Sequence, residues 1–346
     1  MIKVLTLCSL LLLLVMPVSA LEIEAPEVPD SGKSIMPESV DNFTEALTEL
    51  TENALPRLRT ETEKAASGCI RVLSTAIIMS ILRSCSDKTR RIMDLAGVTV
   101  SATILFSNSG AFIALASDTI QELSDYGKLL FPVMTAAMAS QGGITASTAL
   151  YTGTAAFDSI LSTVISSCFL PAVYLFLALA AAYGATGEEL LKKIRDLIKN
   201  SISWCLKTLL TVFTTYMSIT GVVSGTADAA ALKAAKVTIS SVVPVVGGIL
   251  SDASETVLVS AGLMKNAAGI YGIVAILAVF LTPFLRIGIQ YLLLKALSAL
   301  CSIFGSVGIC TMTEDFAAAM GLLLAMTSSV CLMLLVSTVC FMKGVA

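Results

Sequence analysis

Seven long uncharged stretches downstream of residue 92 constrain this chain more than anything else in it. They are 95–117, 129–157, 159–187, 208–227, 267–285, 296–313 and 316–342. The shortest is about 18 residues and the longest about 29, where a helix needs about 20 to cross the roughly 30 Å hydrocarbon core of a bilayer. Backbone polar groups at that depth must be satisfied within the protein, which leaves helices or closed barrels. The chain is 56% hydrophobic and only 14% charged, against about 25% charged in soluble domains. The expectation is an all-α, polytopic membrane protein of about seven or eight membrane segments.

The first residues read as a separate unit. Lys3, the apolar run Leu5 to Met16 and Pro17-Val18-Ser19-Ala20 have the order of a signal peptide over 1–20. An uncleaved first membrane helix is the alternative. Residues 21–66 carry eleven acids against four bases, a net charge of −7. Within them 21–38 is Pro-rich and acidic and reads as a flexible arm. Residues 39–66 place Val40, Phe43, Leu47, Leu50 and Ala54 at helical spacing, with Pro56 expected to interrupt the helix. Residues 67–346 form the expected polytopic domain. It begins with a short uncharged run, Val72 to Leu82, between Arg71 and Arg83.

Charge sets the sidedness. Lys88, Arg90 and Arg91 favour the cytoplasmic side, and Glu122 and Asp125 suit the outside. Glu188 to Lys207 reads as an amphipathic helix in the cytoplasmic interface. Leu190, Leu191, Ile194, Leu197, Ile198 and Ile202 lie on one face, and Lys192, Lys193, Arg195 and Lys199 on the other. With these anchors 129–157 must cross an even number of times. Pro132 and the Gln141-Gly142-Gly143 centre therefore predict a broken or re-entrant hairpin.

Lys236 to Gly272 predicts a second one. Pro244 and Gly247-Gly248 oppose a continuous helix, and Asp252, Glu255, Lys265 and Asn266 follow. Irregular polar backbone at membrane depth survives where protein or a wet cavity covers it. These ten residues, Pro132 to Asn266, are the structural or gating candidates. Sliding the chain along itself superposes Pro132 on Pro244 and Pro171 on Pro283 at one and the same offset, which suggests a duplication of 92–203 as 204–315.

Much chemistry is excluded. The chain has no histidine, so HExxH zinc sites and Ser-His-Asp triads are absent. No GxxxxGK[ST] loop occurs. No basic stripe with interleaved aromatics points to nucleic acid. The nine cysteines form no CxxC pair and read as small buried hydrophobes, with a Cys69–Cys85 disulfide the alternative use for two of them. No catalytic, cofactor-binding or metal-ligating residue is assigned. Ionisable and polar groups within or beside the apolar runs are Asp94, Asp158, Asp228, Asp252, Glu255, Lys265, Arg286, Gln290 and Lys295. Such groups mark function by default, or sit wetted at span ends. Small-residue runs at 145–149 and 178–182 suit close helix contact.

The chain resembles the stage III sporulation protein AE family of endospore-forming bacteria. The resemblance rests on Pro244-Val245-Val246-Gly247-Gly248, Ser251-Asp252-Ala253, Glu255-Thr256-Val257-Leu258 and Lys265-Asn266 with Gly269; the leader, the apolar C-terminal two-thirds and the acidic arm, which is not diagnostic, also match. It implies a non-enzymatic integral component of a channel or secretion-like complex between mother cell and forespore. The implied partners are stage III sporulation proteins AA to AH, including an ATPase, and stage II sporulation protein Q. The implied location is the mother-cell membrane around the forespore, with the mature N-terminus extracytoplasmic. A self-sufficient secondary transporter with a broken-helix site is the competing reading.

Overall fold

The computed structural model describes residues 26–37, 43–85, 90–242, 247–303 and 307–343, with side chains at 55, 57–61, 64, 83–85, 90–91 and 221–265 outside that description. The described residues form helices throughout. These are α1 (Asp30–Lys33), α2 (Phe43–Cys85), α3 (Arg90–Ser140), α4 (Ile144–Val164), a π-helical turn (Ile165–Phe169), α5 (Leu170–Thr186), α6 (Glu189–Val242), α7 (Gly247–Ile303) and α8 (Val307–Lys343). Five helical stretches among the described residues are long and apolar enough to cross a membrane: Ala65–Leu82, Ile92–Ser140, Ile144–Thr186, Asn266–Ile303 and Val307–Lys343.

The core is built around α8, which packs against α3, α4, α5, α6 and α7. It buries Phe316, Met320, Leu323, Met326, Val330, Leu334 and Phe341 among others. It also buries Thr313, Thr327, Ser329 and Thr338. Each of these hydroxyls donates to the carbonyl one turn back, at 2.6–3.1 Å. A polar atom satisfied inside its own helix can enter an apolar core without the cost of a lost hydrogen bond.

Two aromatic contacts set the register of α3 on α8. Phe106 meets Phe316 edge-on at 5.2 Å, and Phe131 stacks on Phe341 at 5.8 Å. Both pairs keep the same separation in sequence, so the helices run parallel and in step. Helix α7 returns antiparallel to α8, with Ser298 Oγ donating to the Cys310 carbonyl at 3.2 Å and Gly269 against Met342. From Gly308 to Phe341 the core spans about 50 Å at 1.5 Å per residue. That is well beyond the roughly 30 Å of a lipid core.

Several local expectations change. The predicted turn at Gln141-Gly142-Gly143 is there: Gly142 has φ 92° and Gly143 caps α4. Its arms are not separate short elements, however. Residues 129–140 end a 51-residue helix that also holds the 95–117 run, and Pro132 lies inside it. Pro56 likewise lies within a continuous α2 and does not interrupt it. In both cases a long helix absorbs one missing backbone bond, and around Pro132 the neighbouring Leu130, Phe131 and Met134 are buried. The disulfide alternative fails on geometry. Cys69 and Cys85 sit on one helix, about 24 Å apart along its axis, whereas a disulfide needs Cα atoms within about 7 Å.

The 188–207 segment is also not a detached interfacial helix. It forms the first turns of the 54-residue α6 and buries Ile202 and Leu206 in the core. The π turn at Ile165–Phe169 has a local cause. Pro171 follows at the start of α5, and its ring displaces the carbonyl four residues earlier.

Candidate functional site

Of the ten structural candidates, Pro132 is an exposed residue near the end of α3, and Gly142 and Gly143 make the α3–α4 turn. Asn266 is exposed on α7. Gly247 and Gly248 begin α7. Pro244 lies outside the described residues, as do the side chains of Asp252, Glu255 and Lys265.

Two other polar clusters are assembled in the described bundle. In the first, Asp158 lies on the buried stripe of α4, with Leu150, Thr154 and Leu161. It is 5% exposed. Its Oδ2 accepts a 2.6 Å hydrogen bond from Ser124 on α3, and its buried Oδ1 accepts none. One turn along α3, Lys128 pairs with Asp125 at 2.8 Å, and Gln121 donates to the same carboxylate at 2.9 Å. A crevice of about 340 Å³ lies between the two helices and is lined by Ser124, Lys128, Tyr151, Asp158, Ser159, Ser162 and Thr163 among others.

The second cluster joins α6 to α8. Arg195 and Asp315 are each 8% exposed, and their side chains form an ion pair through Arg195 Nη1. Arg195 Nε and Nη2 also donate to Asp196 Oδ1 at 3.0 and 2.8 Å. Its guanidinium carbon lies 5.1 Å from the centre of the Tyr183 ring. Lys295 and Glu314 pair beside it at 3.0 Å. Nearby, α5 and α8 touch backbone to backbone at Gly184 and Gly308. Such a contact needs glycine on both helices.

The sequence holds partial signals for both clusters. Charge alone groups Arg195 with the basic face of its helix. Its spacing to Ile198, Ile202 and Leu206 instead puts it on the buried one, and the structure places it there. Asp158 is among the polar candidates, but nothing local points to Ser124 on the preceding helix. Asp315 gives no signal of its own. Among the described residues no group of three or more Cys, Asp or Glu is arranged to hold a metal ion.

Residues 32–344 match the model of the family described as stage III sporulation protein AE. The chain belongs to that family. Its sequence is 24% identical over 175 residues to stage III sporulation protein AE of Bacillus subtilis (strain 168), covering 51% of this chain and 44% of that protein. The match thus spans less than half the length of that relative. No solved structure matches the chain. Together with its long apolar helices, membership makes this chain a polytopic membrane protein of a sporulation family without known catalytic activity.

Proposed function

We propose that this chain is a non-enzymatic integral component of the channel or secretion-like complex that links mother cell and forespore during stage III of sporulation. One structural observation supports an assembled rather than a solitary protein. Exposed charge is spread along the whole bundle. Helix α6 is in register with α8 through Arg195–Asp315. It contacts Thr154 through Met217, and Thr154 in turn bonds Ser337. Lys192, Lys199 and Lys207 therefore lie at successive depths below Ser337. Helix α3 carries Asp118, Asp125 and Lys128 at the depths above Met326, by the two aromatic contacts. All but the half-exposed Lys192 are open to the surroundings.

These charges cover about 39 Å of the bundle, and the longer α3 extends about 18 Å beyond them at either end. Any slab of roughly 30 Å, the thickness of a lipid core, takes in Lys199, Lys207, Asp118 or the paired Asp125 and Lys128. Charge against lipid costs several kcal/mol per residue. Water or other proteins must cover part of this surface.

In this reading the acidic arm faces the space between the two membranes. The basic end bearing Lys192 and Lys193 faces the mother-cell cytoplasm, where the ATPase among stage III sporulation proteins AA to AH would act. Stage II sporulation protein Q lies on the forespore side. The turn at Gly142-Gly143 and the segment from Pro244 to Asn266 serve as structural or gating elements, in a chain duplicated as 92–203 and 204–315.

Photo-crosslinkers placed at Lys199, Lys207 and Asp118 in sporulating cells test this. Adducts to proteins of the AA-to-AH set or to protein Q are expected. Adducts to lipid alone at all three positions would overturn it. Solute flux by the purified protein in liposomes, with no partner present, would favour the secondary transporter instead.

A further inference from the structure

The crevice between α3 and α4 carries an unmet demand for positive charge. When Asp158 is ionised, Asp125, Lys128 and Asp158 together leave one negative charge in excess, because the Lys128 ammonium is engaged by Asp125 at 2.8 Å. Asp158 is 5% exposed and receives a single hydrogen bond, from Ser124. A buried carboxylate with one oxygen unsatisfied is costly unless something else neutralises it.

The hydroxyls facing this crevice are not held by their own helix, unlike many others in the bundle. Thr135, Thr148, Thr152 and Thr186, like the core hydroxyls of α8, bond to the carbonyl one turn back. Ser159, Ser162 and Thr163 line the crevice, and their hydroxyls make no hydrogen bond among the described residues. With Tyr151 and Asp158 they form one stripe of α4 at three-, four- and seven-residue spacing, ending where the helix widens into the π turn at Ile165. The stripe presents hard oxygen donors around a single spare negative charge.

That chemistry selects the ligand. Calcium favours a cage of many oxygens with carboxylates among them, magnesium an octahedral shell built on carboxylates and substrate phosphates, and soft metals thiolate or imidazole; one free carboxylate among hydroxyls suits a single positive charge better. The volume, about 340 Å³, exceeds what a bare ion fills and lies at the lower end of small-molecule sites. We propose that the Asp158 crevice is a binding site for a small monocation, a primary ammonium or a partly hydrated alkali ion, held by the Asp158 carboxylate and the hydroxyls of Ser159, Ser162 and Thr163. Lys128 is the internal competitor. Once Asp125 no longer holds it, its ammonium can turn to Asp158 and occupy the site.

The test uses the full chain in lipid nanodiscs, melted at constant ionic strength in N-methylglucamine, sodium, potassium or methylammonium chloride. Either an alkali ion or methylammonium should raise the melting temperature by about 5 °C when near-saturating, as expected for a ligand bound only by the folded state. Which of them does so identifies the ligand class. Asp158→Asn should abolish the rise. Ser162→Ala with Thr163→Val should weaken apparent affinity about tenfold while keeping the fold. Asp125→Asn should weaken it too, by releasing Lys128, whereas Glu314→Gln at the other end of the bundle should leave it unchanged. The proposal is overturned if no monocation shifts wild-type melting. It is equally overturned if the Ser162/Thr163 double variant, or a folded Asp158→Asn variant, keeps the full shift.

Discussion

Arg195 and Asp315 lie 120 positions apart and form the ion pair that fastens α6 to the central helix, with both side chains almost wholly out of solvent. Asp196 and the Tyr183 ring complete the guanidinium's surroundings. Removing Asp315 leaves the buried guanidinium with Asp196 as its one carboxylate partner. Asp315→Ala should therefore lower stability by about 1.5–3 kcal/mol. Replacing both, as Arg195→Met with Asp315→Leu, should cost less, because only the half-exposed Asp196 is left without its partner. Unfolding in mixed micelles, read as a double-mutant cycle, checks the difference. Equal losses in the single and double variants would contradict this account.

Gly184 and Gly308 make a second point of helix contact, and here the limit is steric. A Cβ on Gly308 would sit 2.5 Å from the Gly184 carbonyl oxygen. Gly308→Ala should destabilise by about 1–3 kcal/mol through overpacking. Gly288 is the control, since a Cβ there meets nothing within 4 Å. Gly288→Ala should be neutral, or stabilising by up to about 1 kcal/mol from helix propensity. Thermal melting of the two variants side by side decides it.

The α3–α4 turn makes unequal demands on its two glycines. Gly142 has φ 92°, a backbone region that costs other residues about 1–2 kcal/mol. Gly143 has φ −85°, which any residue adopts. Gly142→Ala should therefore destabilise the fold more than Gly143→Ala. Proteolysis between Ser140 and Ile144 gives an independent reading, with faster nicking expected in the first variant.

Cysteine reactivity reports the layering of the bundle. Cys168, on the π turn, is exposed, while Cys301 and Cys331 are buried. A maleimide should label Cys168 in the native protein and reach Cys301 and Cys331 only after denaturation. Fast native labelling of Cys331 would show that α8 is not the enclosed helix described above.

The class of the protein was legible from local sequence. Uncharged runs of sufficient length and the Gln141-Gly142-Gly143 turn follow from composition and spacing, which act within a few residues, while the family resemblance rests on the particular residues between Pro244 and Gly269. Packing settled the rest. Pro56 and Pro132 read as breaks because each removes a hydrogen bond, but both helices run on through them, with buried neighbours on either side of Pro132. The uncharged runs read as separate spans because charge interrupts them. The charge at 118–128 is instead carried on a helix longer than a bilayer is thick. Which helix would become the core, and that Asp158 would find Ser124 and Arg195 would find Asp315, depended on contacts between residues 34 and 120 positions apart. Local pattern shows that a buried polar group needs a partner, and only the packed bundle selects which one.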